Sequence, residues 1–242
     1  MEEFIDSPAG KVCIDSREAG GSSAAILTHG YHSAKESRTN TALAPILNAR
    51  KISTFAFDMY GHGKSEGDIS RLTVSKVVEN ALVVYDHVKS MGYTKIAFAA
   101  SSFSGQVALI SATKRPFSAL ALRCPVFDGR GLWDMRLGPE GIALWKRQGA
   151  IRPFGIDWKF EAYEDEAKYD MHAVAAMVEA PTVVIHGDRD ATVPISQAES
   201  LIAALKCEKK LVVVRGADHF FAPEAHFREM VDATSAWLTG HL

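Results

Sequence analysis

The chain has 242 residues, of which 47% are hydrophobic and 23% are charged, and its formal net charge is -2 at pH 7. This length suits one large α/β domain or two small ones, of which we take the single domain as the starting assumption. The near-neutral balance excludes the broad basic surface that binds nucleic acid or anionic membranes. Three scattered cysteines are too few for a disulfide framework or a zinc cluster. With no secretory pattern in MEEFIDSPAG and no run long enough to span a bilayer, we expect a cytoplasmic protein with a small uncharged partner.

The first predicted element is a hairpin, because residues 4–16 contain two short alternating runs around Pro8, Ala9 and Gly10. The pattern then changes to short, continuously apolar runs, which are typical of strands covered on both faces. These runs are AAILTHG (24–30), ISTFAFD (52–58), KIAFAAS (95–101), FSALALRC (117–124), TVVIHGD (182–188) and KLVVVRG (210–216).

Segments with helical spacing lie between these runs. Residues 74–82 and residues 227–237 each place apolar side chains on one stripe. Strands that alternate with helices indicate right-handed βαβ units and a mainly parallel sheet. The predicted fold class is therefore α/β, a three-layer α/β/α sandwich.

One interval breaks this alternation, since residues 125–181 contain no good strand pattern. Aromatic residues stand there among charges: Trp133, Trp145, Phe154, Trp158 and Tyr163. We interpret the interval as a short helical cap, inserted at about residues 126–178 into a single domain that spans residues 1–242. Two ordinary helices packed on the sheet are the alternative interpretation.

The run IAFAASSFSGQ (96–106) ends a predicted strand in a cluster of serines and opens a helix. Ligands of open α/β sheets bind at this edge, and a strained turn can present a serine there if the residues two before and two after it are small. Phe103 excludes Ser101, and Gln106 excludes Ser104. Ser102 has Ala100 and Ser104 as flanks, with Gly105 next to let the helix pack closely. An ordinary serine-rich helix N-cap is the alternative.

A serine nucleophile needs a base, and the base needs an acid that orients it. Two later segments supply these groups at predicted strand ends. HGDRDATVP (186–194) offers Asp188 and Asp190, and GADHFF (216–221) offers His219. The order Ser, Asp, His is the one expected for a fold of this kind.

Four motifs, in order, give the chain a resemblance to the α/β hydrolase superfamily over nearly its whole length. THGYH (28–32) resembles the oxyanion loop, DMYGHGKS (58–65) resembles the D-x-x-G-x-G-x-S segment, and ASSFSG (100–105) is a relaxed form of the G-x-S-x-G nucleophile turn. HGDRDATVP and GADHFF resemble the acid and base loops. The pattern is most similar to that of small esterases of cinnamoyl and other aryl esters, and of monoacylglycerol lipase-like members.

This resemblance implies roles for particular residues. Asp190 occupies the position of the catalytic acid, with Asp188 as the alternative, and His219 is the base. The backbone N–H groups of Tyr31 and Phe103 would form the oxyanion hole. The remaining motif residues are expected to brace the loops: His29, Asp58, His62 and His186.

The function expected from the resemblance is ester hydrolysis through an acyl-enzyme, with no cofactor and no metal. Trp133, Trp145 and Trp158 of the predicted cap are candidate substrate-binding residues. A thioesterase or a C–C bond hydrolase would use the same triad, and a ligand-binding member without activity is a further alternative. The absence of an H-x-x-x-H or H-E-x-x-H pair argues against a metallohydrolase.

Overall fold

A computed structural model describes residues 1–153 and 155–242, so Phe154 of the predicted cap lies outside the described residues. The strands of the described part are, in chain order, β1 (Glu2–Ile5), β2 (Val12–Arg17), β3 (Ser23–Thr28), β4 (Ile52–Phe57), β5 (Lys95–Ser101), β6 (Ala119–Arg123), β7 (Ala150–Ile151), β8 (Trp158–Lys159), β9 (Thr182–Gly187) and β10 (Lys209–Val214).

The α-helices alternate with these strands. They are α1 (Arg38–Asn48), α2 (Val74–Ser90), α3 (Ser104–Ala112), α4 (Gly129–Gln148), α5 (Glu161–Glu166), α6 (Met171–Met177), α7 (Ile195–Ala204) and α8 (Glu224–His241). A 3₁₀ turn, Ile69–Arg71, precedes α2.

Eight strands form one sheet in the order β1-β2-β4-β3-β5-β6-β9-β10. β1 and β2 form the predicted antiparallel hairpin, and β2 pairs antiparallel with β4. The pairings from β4 through β3, β5, β6 and β9 to β10 are all parallel. The carboxyl ends of β3, β5, β9 and β10 therefore meet at one edge, which is where open α/β sheets bind ligands.

The two faces of the sheet belong to separate apolar clusters. Ile26 of β3 packs with residues of α2 and α3, whereas its neighbour Leu27 packs with residues of α1 and α8. Phe98 and Ala99 of β5 divide in the same way. Burial on both faces requires apolar residues at successive positions. The three-layer α/β/α sandwich with the α/β hydrolase topology is thus confirmed.

Residues 125–181 connect β6 to β9 and contain α4, α5 and α6. They also contain a hairpin, β7 paired antiparallel with β8, which the sequence does not predict because two-residue strands leave no alternating pattern. α4 bends at Gly138, whose φ is +63°, and Pro139 follows. The bend separates the part of α4 that carries Trp133 from the part that carries Trp145.

Across the described ranges, no helix has both the length and the apolar content needed to cross a bilayer. Cys13 and Cys124 are buried free thiols, and Cys207 is a partly buried one. The cytoplasmic location stays a prediction.

Candidate active site

Ser102 occupies the sharp turn between β5 and α3. Its φ is +55°, a strained value for a residue with a side chain and the one that a nucleophile turn requires. The Ser102 N–H donates to the carbonyl of Arg123 over 2.9 Å, and the Ser102 carbonyl accepts from the N–H groups of Gly105 (2.9 Å) and Val126 (3.0 Å). These bonds fix the strained conformation.

The two neighbouring serines are buried and are used inside the turn. Ser104 Oγ accepts a hydrogen bond from the Ser101 N–H and donates one to the Ser101 carbonyl, each over 2.9 Å. Gly105 is required as well, because a Cβ atom at this position would lie 2.4 Å from Cβ of Pro125. The requirement for small flanking residues therefore selects Ser102, the serine at the strained position of the turn. Ser104 stabilises this turn with its hydroxyl.

Ser102, His219 and Asp190 form one hydrogen-bonded chain at the carboxyl edge of the sheet. Ser102 follows β5, Asp190 follows β9 and His219 follows β10. The Ser102 Oγ lies 3.0 Å from His219 Nε2, and His219 Nδ1 lies 2.6 Å from Asp190 Oδ2. With the Nδ1–H donated to the carboxylate, Nε2 is left as the acceptor for the serine hydroxyl.

The Asp190 carboxylate is fully supplied with donors. Oδ1 accepts from the N–H groups of Thr192 (2.8 Å) and Val193 (2.7 Å), and Oδ2 lies 3.4 Å from His186 Nε2 in addition to His219. Burial by itself would raise the pKa of Asp190, but the contacts with His186 and His219 and the Val193 N–H hold this pKa below its ordinary range. Asp190 is therefore ionised at neutral pH and can orient a histidine.

Asp188, the alternative acid, has a different position. Its side chain is exposed, and Oδ1 accepts a hydrogen bond from the Gly216 N–H over 2.6 Å. This bond joins the acid loop to the loop that precedes His219. His186, as expected for a bracing residue, lies 2.9 Å through Nε2 from the carbonyl of Val193.

The loop after β3 lies directly against the nucleophile. A Cβ atom at Gly30 would lie 3.1 Å from Cβ of Ser102, so glycine allows the close approach. His29 Nδ1 donates to the Gly30 carbonyl over 2.7 Å, and its Nε2 accepts from the Met59 N–H over 3.2 Å. Burial, together with the nearby His62, lowers the pKa of His29 to about 4, which leaves it neutral as a brace of this loop.

Asp58 and His62 hold the neighbouring loop in the same manner. The Asp58 carboxylate accepts from the Lys35 N–H (2.7 Å), the Lys35 Nζ (3.0 Å) and the Lys64 N–H (3.0 Å). His62 Nε2 accepts from the N–H of His32 over 3.2 Å. This contact fixes the main chain next to Tyr31, whose N–H is predicted to bind the oxyanion.

The second predicted oxyanion donor is Phe103, the residue after Ser102. Among the hydrogen bonds of residues 1–153 and 155–242, none is donated by the Phe103 N–H. Tyr31 stacks its ring on Trp158, with 4.3 Å between centroids and 8° between planes. Tyr31 and Phe103 both line the cavity beside Ser102.

Arg123, at the end of β6, is a site residue that the sequence analysis does not single out. Its Nη1 donates to the carbonyl of His219 over 3.0 Å, and its Nη2 contacts Ser101 Oγ. Burial lowers the pKa of its guanidinium. The only signal in the sequence is a charge at the end of the otherwise apolar run ALALRC.

A cavity of about 210 Å³ opens beside Ser102 and His219, between the sheet edge and residues 126–166. Aromatic rings form much of its wall: Tyr31, Phe103, Trp133, Trp158 and Phe220. Phe220 is 70% exposed, whereas Trp133 and Trp158 are buried. Two of the three predicted tryptophans therefore face the space beside the nucleophile.

Trp145, the third candidate, is not among the residues that line this cavity. It is fully buried, its ring lies edge-on to Trp133 with 5.1 Å between centroids, and its Nε1 donates to the Trp158 carbonyl over 2.9 Å. Its role as a substrate contact is thus corrected to that of a support, because it is buried against the two tryptophans that line the cavity.

Glu166, at the end of α5, is a second residue that the sequence analysis misses. It lines the cavity, is 6% exposed, and has Gln106 as a hydrogen-bond partner, with 3.4 Å between Nε2 of Gln106 and Oε1. Burial raises its pKa to about 8, with Asp128 and Asp165 adding to the effect. In the sequence it is one of several acidic residues of EAYEDEAK, a pattern typical of an exposed helix.

Cys124, His186 and Asp190 form the one group of potential metal ligands found in the described ranges, with ligand atoms within 4.8 Å of one another. Burial raises the pKa of the Cys124 thiol to about 12, so the thiolate that binds metals is disfavoured. A cation here would also compete for the Asp190 oxygens that contact His186 and His219. We therefore interpret Cys124 and His186 as residues that support Asp190.

Comparison with known sequences identifies the family. Residues 61–242 match the sequence profile described as the prolyl oligopeptidase family. The chain belongs to the prolyl oligopeptidase family. Because the chain belongs to this family and has the α/β hydrolase fold, it is a serine hydrolase of the group that contains esterases, lipases and peptidases.

The relatives of this chain differ in length and in the activity that their names give. The uncharacterized peptidase YuxL of Bacillus subtilis is 38% identical over 100 residues, a match that covers 37% of this chain. The chain spans 15% of the length of YuxL. The monoacylglycerol lipase of Mycolicibacterium smegmatis is 24% identical over 253 residues, which cover 90% of this chain and 88% of the lipase.

Among solved structures, Est1E from Butyrivibrio proteoclasticus with ferulic acid bound has the same fold. The TM-score is 0.88 at 22% identity, and the superposition covers 99% of this chain and 98% of Est1E. At this level of identity the likeness concerns the fold.

Proposed function

We propose that the protein hydrolyses small carboxylic esters, with Ser102 as nucleophile, His219 as base and Asp190 as the acid that orients the base. The observation that carries this proposal is the continuous chain of hydrogen bonds from Ser102 Oγ to His219 Nε2 (3.0 Å) and from His219 Nδ1 to Asp190 Oδ2 (2.6 Å). A serine, a neutral imidazole and an ionised carboxylate in this order are the arrangement that activates a hydroxyl.

The reaction proceeds through two acyl transfers. His219 Nε2 removes the proton from Ser102 as Oγ attacks the ester carbonyl, and the resulting imidazolium is stabilised by Asp190. The imidazolium then protonates the leaving alcohol, which departs and leaves an acyl group on Ser102. Water attacks this acyl group with His219 again as base, and the acid is released as the proton returns to Ser102.

The developing oxyanion is held by the backbone N–H groups of Phe103 and Tyr31. Two features support this assignment: the Phe103 N–H makes no hydrogen bond among the described residues, and Gly30 brings the loop that carries Tyr31 within contact of Ser102. A donor of this kind stabilises the transition state by about 3 to 4 kcal/mol.

The substrate is a small aryl or acyl ester, and residues 126–178 act as the cap of a single α/β domain. The cavity of about 210 Å³ limits the size of the group that enters, and the aromatic wall of Tyr31, Trp133 and Trp158 favours a flat or aliphatic group. Two similar proteins agree with these classes, since Est1E was solved with ferulic acid and the M. smegmatis relative is a monoacylglycerol lipase.

Family membership favours one second candidate, the hydrolysis of a peptide bond. The same triad would serve, with the amine protonated by His219 as it leaves.

A substrate panel tests the proposal. Turnover of p-nitrophenyl acyl esters, methyl aryl esters, a monoacylglycerol, an acyl-CoA thioester, a C–C bond substrate and a peptide p-nitroanilide is compared for the wild type, Ser102→Ala and Ser104→Ala. We expect the highest kcat/KM on the oxygen esters, loss in Ser102→Ala and retention in Ser104→Ala. Preference for the thioester, the C–C bond substrate or the anilide, or binding without turnover of any of them, would overturn ester hydrolysis.

A further inference from the structure

Glu166 is a buried carboxyl group in the wall of the cavity that contains Ser102. Its Oε1 has one long hydrogen bond, from Gln106 Nε2 at 3.4 Å. Its Oε2 is buried and has no hydrogen-bond partner among the described residues. A buried polar atom without a partner is costly, and a bound ligand or water can supply the missing hydrogen bond.

The surroundings keep this carboxyl in place. A Cβ atom at Gly129, the first residue of α4, would lie 2.5 Å from Oε1 of Glu166, so a larger residue there would displace the carboxyl. Gln106 lies on α3, four residues after Ser102, and also lines the cavity. The pair therefore places a polar group in the wall of the cavity that Ser102 also lines.

The chemistry of the site favours a neutral hydroxyl over a cation. The wall of the cavity as a whole is largely apolar, and Phe103, Leu132, Trp133 and Trp158 are among its lining residues. Burial in this environment raises the pKa of Glu166 to about 8, so the group is mostly protonated at neutral pH and can both donate and accept. A hydroxyl group can do the same, whereas an ammonium group requires the ionised form.

We propose that Glu166, held by Gln106, hydrogen-bonds a hydroxyl group of the substrate and selects hydroxylated esters over their plain analogues. This inference rests on the proposed ester hydrolysis. A site built to hydrogen-bond a substrate hydroxyl rejects the analogue without it, because the protein group is then left unpaired. The hydroxyl belongs either to the acyl group, as in a hydroxyaryl ester, or to the alcohol, as in a monoacylglycerol.

Matched substrate pairs distinguish these two sources. Methyl 4-hydroxycinnamate is compared with methyl cinnamate, and glyceryl monobutyrate with propyl butyrate. For the wild type we expect kcat/KM to favour the hydroxylated member of one pair by at least ~10-fold. The preference should disappear in Glu166→Met, remain in Glu166→Gln, and remain in Glu164→Met, the matched control on the exposed face of the same helix.

A purely structural Glu166 gives a different result. Glu166→Met would then lower kcat/KM equally for both members of each pair, and the inference would be wrong. It would also be wrong if the wild type showed no hydroxyl preference in either pair, or if the Glu166-dependent preference were for the cationic phenylalanine methyl ester over methyl 3-phenylpropionate.

A binding measurement separates this inference from the proposed function. In Ser102→Ala, which is expected not to turn over, methyl 4-hydroxycinnamate or glyceryl monobutyrate should bind at least ~10-fold more tightly than its plain analogue, a difference of about 1.4 kcal/mol. Combining Glu166→Met with Ser102→Ala should abolish this difference in affinity. If the wild type hydrolyses no ester while this difference is present, ester hydrolysis fails and the hydroxyl site stands. If esters are hydrolysed without the difference, only the hydroxyl site fails.

Discussion

The guanidinium of Arg123 donates a hydrogen bond to the main-chain carbonyl of His219, with 3.0 Å between Nη1 and the oxygen. Its other terminal nitrogen contacts the hydroxyl of Ser101, the residue before the nucleophile. One partly buried side chain thus joins the nucleophile turn to the base loop. The distance between Ser102 Oγ and His219 Nε2 depends on both of these segments.

Replacing Arg123 by Met should therefore reduce catalysis more than substrate binding. Small misplacements of reacting groups cost about 100-fold in rate, and we expect a fall in kcat of this order with little change in KM. Lysine retains a cation with fewer donors, so Arg123→Lys should recover part of the loss. Steady-state kinetics on an ester measures both constants.

The matched control is Arg189→Met, since Arg189 is an exposed arginine of the acid loop. This variant should have nearly the wild-type kcat. Equal kcat values for Arg123→Met and the wild type would show that Arg123 does not position the triad.

Ser104→Ala should weaken the fold without abolishing activity. The substitution removes the hydroxyl that accepts from the Ser101 N–H and donates to its carbonyl, and buried groups left without partners cost about 1 to 3 kcal/mol. Urea unfolding measures the loss in the free energy of unfolding. An unchanged free energy would contradict the bridging role, and loss of serine labelling in this variant would contradict the choice of Ser102.

Asp190→Asn should lower kcat on the order of 10⁴-fold, because an amide in place of the carboxylate leaves the imidazole in the wrong tautomer. Asp188→Asn is the matched control in the same loop and should keep kcat close to the wild-type value, since Asp188 is exposed and bonds to the Gly216 N–H. The opposite ranking of the two variants would assign the acid to Asp188.

Glu166 should make stability fall with rising pH. Its folded-state pKa of about 8 lies above the ordinary value of 4.5, so between these values the unfolded chain loses a proton that the folded chain keeps, and the free energy of unfolding decreases as pH rises. The charged groups that act on it are Asp128 and Asp165, which oppose its ionisation, and Arg130, which favours it.

Urea unfolding of the wild type and Glu166→Gln at several pH values measures this effect. The free energy of unfolding of the wild type relative to the variant should decline from about pH 4.5 to about pH 8 and then level off, because glutamine cannot ionise. Glu164→Gln, a change at an exposed position of the same helix, should follow the wild type. Parallel curves for the wild type and Glu166→Gln would show that folding does not raise the pKa of Glu166.

The fold could be predicted because its signals are local. Each central strand is buried on both faces, so Ile26 and Leu27, or Phe98 and Ala99, appear in the sequence as unbroken apolar runs. Ser102 could be selected because the tight turn restricts its close neighbours in sequence to small residues.

Arg123, Glu166 and Trp145 could not be assigned in this way, because their environments depend on distant segments. Arg123 acts on His219, 96 residues later, and Glu166 contacts Gln106, 60 residues earlier. Trp133 and Trp145 have the same residue type and lie on α4 on either side of the bend at Gly138, so residue type alone does not show which of them lines the cavity.

Covalent labelling with a fluorophosphonate, followed by mass spectrometry of the modified peptide, tests the central claim most directly. The reagent bonds to an activated serine, so we predict a single adduct on Ser102, formed in the wild type and in Ser104→Ala, and absent together with ester hydrolysis in Ser102→Ala. An adduct on Ser101 or Ser104, or ester hydrolysis that survives in Ser102→Ala, would contradict the account.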